Sequence, residues 1–435
     1  IAHEMDLLIS KPVLIEMIIN GKSSGIYVQR ERLNEGFLRR SKIMPINIYK
    51  GEQVNNEYKI GLNNDLFNNV GLWSKLAYLN SMNVNDNTDL KNFFYKIKRS
   101  QNSLDELDNL FNNFNADIWS NSSVYQILTQ TRMGDNVHNN RISIDPWSGS
   151  VNLIPQDPFF NVKNFDFDEI ILENSNNFLF QTINKSSYFI NLKYEKLYNV
   201  LKNKKILENK IKNLNNIKKS LLISQKRDVG QIQRRYYNKT GIYNIKYNRL
   251  LTALKNRKIN LLNKLESHPK VSWNRHKNGF FINIKGNMPI KDLEINFKER
   301  KPKWISIDIN NDNRIEENEK ITDFKKKSIF LLPITLYSNR TLISNHNVDI
   351  SNKNKFTPTA TNFKFFVENG IMPESIMGTN KFTNQKFLIK LMNHHGSKPY
   401  KLNVPIYDNF NIKKNSQQLK GTINVNEDLI FKHDV

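Results

Sequence analysis

Residues 134–160 read GDNVHNNRISIDPWSGSVNLIPQDPFF. Two short alternating apolar runs, 141–144 and 151–154, flank Asp145-Pro146-Trp147-Ser148-Gly149, which carries Pro and Gly where a tight turn uses them. The pattern predicts a strand pair. An antiparallel pair returns the chain to its starting end, so the residues before its first strand and after its second meet. Asp135, His138 and Asn139 precede the first strand and Asp157 follows the second. Such a cleft suits a general base, a carboxamide metal ligand and a carboxylate metal ligand working on Mg²⁺-bound phosphates. From spacing alone, the same residue types also serve as caps and turn formers.

Upstream, residues 13–19 and 25–30 are β-rich and joined through Asn20-Gly21, the dipeptide that a type I′ turn selects because both central residues need positive φ. A hairpin is predicted there. Residues 1–8 carry apolar side chains at helical spacing with no cap before them, so the chain reads as beginning inside an element. From Leu33 to Asn136 the pattern turns helical, with segments expected near 69–80, 89–98, 104–114 and 124–131. Helices are expected again from Asp166 to Ser267. Beyond His268-Pro269 the texture becomes short alternating runs, at 279–284, 304–309, 329–337, 363–367 and 386–391, which describes a β-sandwich-like domain.

The 435 residues carry 65 Lys and Arg against 41 Asp and Glu, a net charge of +24. Residues 191–270 hold 21 basic and four acidic side chains, so this one region contributes +17 and the remainder only +7. Within it Leu207, Ile211, Leu214, Ile217 and Leu221, then Leu251, Leu254, Leu261 and Leu265, recur at three and four residues. They predict two amphipathic helices separated near Thr240-Gly241, a basic helical hairpin. Its lysines would attract nucleic acid or another anionic surface, with Tyr236, Tyr237, Tyr243 and Tyr247 as stacking groups; the plainer reading is a solvated helix face. No cysteine is present, which removes disulfides, thiolate zinc sites and cysteine nucleophiles together. No run of eighteen uncharged apolar residues occurs, so no membrane-spanning helix is expected. Asparagine, the commonest residue, is spread over the whole length, the mark of compositional bias rather than of a functional tract.

Two blocks together resemble the spore coat CotH kinase-like family of atypical protein kinases. The first, PVLIEMIINGKSSGIYVQRERLNEGFL at 12–38, is similar to that family's strand, Asn-Gly turn, Gly-x-Tyr strand and following Glu-containing segment. The second is similar to its Asp, His-Asn, Asp-Pro-x-x-Gly and Ile-Pro-x-Asp sequence, and the two span roughly residues 1–165 in the family's order. The resemblance implies that Asp135 accepts the proton of an acceptor hydroxyl. It implies that Asp157 holds Mg²⁺, that Asn139 makes a second metal or phosphate contact, and that Glu31 lies in the linker between lobes where the adenine of ATP approaches. It also implies that His138 orients the loop. The family places Trp before its metal Asp and a second Asp two residues after it, whereas here Gln156 and Phe159 occupy those positions. The family's glycine-rich, lysine-bearing phosphate segment would lie upstream of these residues, so the chain is expected to be a fragment lacking the N-terminal part.

A third pattern is Asp308-x-Asn310-x-Asp312-x-Arg314-Ile315-Glu316-x-x-Glu319, with oxygen donors at positions 1, 3, 5, 7, 9 and 12 of a calcium loop and an apolar residue at 8. Asn313 stands where the template has Gly, and Asn is the next residue most tolerant of positive φ. A strand precedes this loop, which suits a weak extracellular Ca²⁺ module better than a paired sensor.

The expected fold is therefore α+β: a kinase-like domain over 1–190 with a partial N-lobe and a helical C-lobe, a basic helical hairpin over 191–270, and a β-sandwich-like domain over 271–435. The expected function is transfer of phosphate from ATP, with Mg²⁺, to hydroxyl side chains of a protein in a coat, in the cell envelope or at the cell surface, by a secreted or surface protein. Two other readings stay open: a pseudokinase kept as an adhesive or envelope scaffold, which Gln156 and Phe159 favour, and a basic nucleic-acid-binding protein.

Overall fold

The computed structural model describes residues 2–10, 12–52, 66–77, 83–100, 104–129, 134, 136, 138–155, 178–225, 240–298, 300–308, 312–322, 329–331, 360–392, 401–406 and 419–424. It is mixed α and β. Residues Ala2–Met5 form one short 3-10 turn rather than the longer helix their spacing suggests. Val13–Ile19 (β1) and Lys22–Gln29 (β2) pair antiparallel as a sheet of their own. Asn20 and Gly21 have φ of 51° and 73°, the two left-handed residues that the turn requires. Asn34 then caps α1 (Glu35–Arg40) by accepting a hydrogen bond from Phe37 N at 3.2 Å.

Next comes a four-stranded antiparallel sheet built from Asn47–Gly51 (β3), Trp73–Ala77 (β4), Asn140–Ile144 (β5) and Val151–Leu153 (β6), in the order β4-β3-β5-β6. The helix expected over 69–80 is instead a 3-10 turn, Val70–Leu72, running into β4. The cause is tertiary. Gly51 opposes Trp73 across the β3–β4 ladder and leaves room for its indole, whose Nε1 donates to Leu66 O at 2.7 Å. Three helices follow: α2 (Thr88–Ser100) and α3 (Leu104–Asn113) near their expected places, and α4 (Ala116–Thr129), which starts eight residues before the expected 124–131. Phe67, Trp73, Phe93, Phe94, Phe114 and Trp119 interlock in the core between helices and sheet. Trp119 Nε1 ties α4 to the sheet edge through Val151 O at 2.6 Å.

The basic region departs from a simple hairpin. It contains α6 (Ser187–Lys202) and α7 (Lys204–Gln225), separated at Asn203, and α8 (Thr240–Glu266); α5 (Phe178–Ile183) precedes them. Leu254, Leu261 and Leu265 of α8 are buried as expected, and Leu261 and Leu265 share a core with Tyr194, Leu197 and Leu201 of α6 and Val124 of α4. On α7, Ile217 is exposed. Two cations of this region lie inside the fold: Lys193 donates to Asn184 Oδ1 at 3.0 Å, and Arg257 Nη1 to Leu128 O at 2.6 Å.

The C-terminal part centres on one curled eight-stranded sheet, order β11-β10-β12-β8-β7-β14-β13-β9. Its strands are Lys270–His276 (β7), Gly279–Lys285 (β8), Ile290–Asn296 (β9), Ile305–Ile307 (β10), Lys320–Ile321 (β11), Ala360–Val367 (β12), Ser375–Asn380 (β13) and Lys386–Leu391 (β14). A short parallel pairing of β14 with β7, at Lys390↔Ser272 and Leu391↔Trp273, joins what a sandwich would keep as two sheets. Both arms bury side chains in one core, including Trp273, Phe280, Ile305, Phe365, Ile376 and Ile389. Lys401–Ile406 (β15) and Leu419–Asn424 (β16) pair separately. Of the run expected as a strand at 329–337, Leu331 makes a single bridge to Ile290, and 332–337 lie outside the described residues.

Candidate functional site

The β5–β6 hairpin forms as its sequence predicts. Asp145 organises its turn: the carboxylate accepts from Trp147 N at 3.0 Å and from Ser148 Oγ at 2.6 Å, and the carbonyl accepts from Gly149 N at 2.8 Å. At the other end, Ile154 N donates to Arg141 O at 3.0 Å, extending the ladder by one bond. The segment entering β5 and the segment leaving β6 therefore share one end of the sheet. Asp135 and Asp157, on those two segments, lie outside the described residues, as do Gln156 and Phe159.

The segment entering β5 is anchored at its described positions. Asn136 is buried; its Oδ1 accepts from Phe178 N at the start of α5 at 2.8 Å, and its carbonyl accepts from Leu66 N at 2.9 Å. Asn139 has φ of 55°, a conformation for which asparagine is among the best side chains. Its neighbour Asn140 is also buried and donates Nδ2 to His138 O at 2.9 Å, with its side chain against Gly134. Asn140 was not singled out from the sequence, although it stands five residues after Asp135, the interval of the Asp-x-x-x-x-Asn kinase catalytic loop.

Glu31 follows β2 and forms an ion pair with Arg40 of α1. Two residues on, Leu33 packs in the same apolar cluster as Phe37, Leu38, Ile48, Ala77 and Ile154. The segment bearing Glu31 and the exit of β6 are thus drawn to one place by a shared core. A separate polar tie holds α2 on the sheet: Tyr49 OH donates to Asp89 Oδ1 at 2.5 Å and Asn47 Nδ2 to Asp89 Oδ2 at 2.7 Å. Burial first, and then this carboxylate, push the Tyr49 pKa upward.

The acidic loop of the third pattern connects β10 to β11, whose pairing at Ile305↔Ile321 clamps its ends. Asp308 and Glu319 are buried, whereas Asp312, Arg314 and Ile315 are exposed and Glu316 is half-buried. Asp308 Oδ2 accepts from Asn313 N at 3.2 Å and Asp312 Oδ1 from Arg314 N at 2.8 Å. Asn313 takes φ of 63°, the left-handed position expected of it. Burial raises the Asp308 pKa, and the charges of Glu319 and Asp312 add to the rise; the Asn313 hydrogen bond and the charge of Lys364 oppose it. Asn310 lies outside the described residues.

In the basic region, Tyr236 and Tyr237 lie outside the described residues. No helix among the described residues is long and apolar enough to cross a membrane. No known protein family matches the chain by sequence, and no curated protein matches it.

Proposed function

We propose that the chain carries a CotH-like phosphotransfer site at the shared end of β5 and β6, using ATP and Mg²⁺ to phosphorylate hydroxyl side chains of a surface or coat protein. The observation that supports this reading is the hairpin. A loop with Asp135 leads into β5, the β5–β6 turn is tight, and the chain leaves β6 toward Asp157, the order in which a kinase presents its catalytic loop and its metal aspartate. The anchoring of Asn136 to α5 gives such a loop the rigidity that phosphoryl transfer demands of its parts. In this reading Asp135 takes the hydroxyl proton, Asp157 holds Mg²⁺ and Asn139 or Asn140 supplies the carboxamide. Glu31 stands in the linker beside the adenine. The closeness of Leu33 and Ile154 in one cluster is in keeping with a linker that borders the cleft.

The test is transfer of label from γ-labelled ATP with Mg²⁺ by the intact protein, to itself or to a generic acceptor, beside Asp135→Asn and Asp157→Ala. Incorporation that disappears in both variants supports the assignment. No label, together with no Mg²⁺-dependent thermal shift by ATP, rejects it and leaves the fold as a scaffold.

A further inference from the structure

We propose that the loop joining β10 to β11 is a calcium site, closed on one ion by the carboxylates of Asp308, Asp312 and Glu319 and the main-chain carbonyl of Arg314. The deciding residue is Asp308. It is 5% exposed, and its Oδ1 is buried with no hydrogen-bond partner among the described residues. Its other oxygen accepts from Asn313 N across the loop, so the carboxylate faces the loop interior. A buried carboxylate oxygen with no donor is costly unless a cation meets it. Lys364 does not fill that role by contact, since its ammonium hydrogen-bonds Asn313 Oδ1 at 2.5 Å.

The neighbouring charges point the same way. Asp312 and Glu319 each act on Asp308 as like charges, so carboxylates gather here although the chain as a whole carries +24. Glu317, in contrast, pairs outward with Lys320 and takes no part. The donors are all oxygen, which selects a hard cation, and a twelve-residue loop of mixed carboxylate and carbonyl groups suits the flexible coordination of Ca²⁺ better than the strict octahedron of Mg²⁺. Among the described residues no three carboxylate or imidazole side chains already stand as a finished cage. Binding must therefore draw the exposed Asp312 inward between ends that β10 and β11 hold fixed. This inference is independent of the phosphotransfer reading, because the two sites share no residue.

Metal-stripped protein titrated with CaCl2, and separately with MgCl2, is read by calorimetry and thermal unfolding. The expected result is one Ca²⁺ per chain, a dissociation constant of about 10⁻⁵–10⁻³ M, a raised Tm, and Mg²⁺ affinity weaker by about tenfold or more. Asp308→Asn keeps an acceptor for Asn313 N but removes the charge. In chelator it should melt no lower than the parent, and its Ca²⁺ affinity should fall about tenfold or more, as should that of Glu319→Gln. Parental affinity in either folded variant overturns the proposal, as does a parent with neither heat nor Tm shift at about 10 mM Ca²⁺. Should Asp308→Asn fail to fold, Tb³⁺ emission from the parent excited through Trp304 decides. Emission displaced by Ca²⁺ and lost in Trp304→Phe supports the site; emission unchanged in Trp304→Phe overturns it.

Discussion

The cluster Asn136, Asn139 and Asn140 shows how three identical side chains acquire three jobs. Asn136 is an anchor, Asn139 supplies a left-handed backbone, and Asn140 closes the loop on itself. None of these roles can be read from composition in a chain so rich in asparagine; each depends on what the backbone does beside it. The roles separate experimentally. Asn136→Ala leaves the buried Phe178 N–H without its acceptor and should cost about 1–3 kcal/mol in urea unfolding. Asn139→Gly preserves the positive φ and should change stability by less than about 1 kcal/mol. If its carboxamide contacts metal or phosphate, the same variant will weaken Mg²⁺-nucleotide binding, whereas unchanged nucleotide affinity would pass that role to Asn140.

Among the elements, those governed by local chemistry were legible in advance. The Asn-Gly hairpin, the β5–β6 pair and the amphipathic α2 and α3 follow from turn residues and periodicity within each segment. β3 and β4 were not legible, because a long-range partnership decides them: Trp73 needs Gly51, and neither residue announces the other. The same holds at β8. A Cβ built on Gly279 would stand 1.9 Å from Phe365 O, so β12 passes the start of β8 at a distance that only glycine permits. Gly279→Ala must push the two strands apart where Phe280 stacks on Phe365 at 4.7 Å in the sheet core. It should cost about 3 kcal/mol or more, read from chemical unfolding, while alanine at exposed Gly149, in a turn where an added Cβ meets nothing within 4 Å, should cost about 1 kcal/mol.

At the scale of the molecule, the sequence located the change from helical to β texture at His268-Pro269 but not how the two parts hold together. The join is made by the β13–β14 turn. Asn380, fully buried, donates Nδ2 to Ser267 O at 2.7 Å and to Leu265 O at 3.4 Å, at the C-terminal end of α8, while its Oδ1 accepts from Phe382 N and Thr383 N. Lys381 reaches Asn191 and Glu195 on α6, and Phe382 packs on Tyr198 at 5.0 Å. One carboxamide thus ends a helix and shapes a hairpin turn at once, a coupling invisible to any reading of either segment alone. A helix cap and a β turn that share a side chain should unfold together, so the wild-type protein is expected to melt in one cooperative transition across this join. Asn380→Asp keeps the turn acceptor and converts the donor into a carboxylate facing two carbonyl oxygens. That change should cost about 2–4 kcal/mol and, by weakening the join rather than either core, split the calorimetric endotherm in two. A variant that melts lower but still in one transition would show that the coupling resides in the contacts of Lys381 and Phe382 with α6 instead.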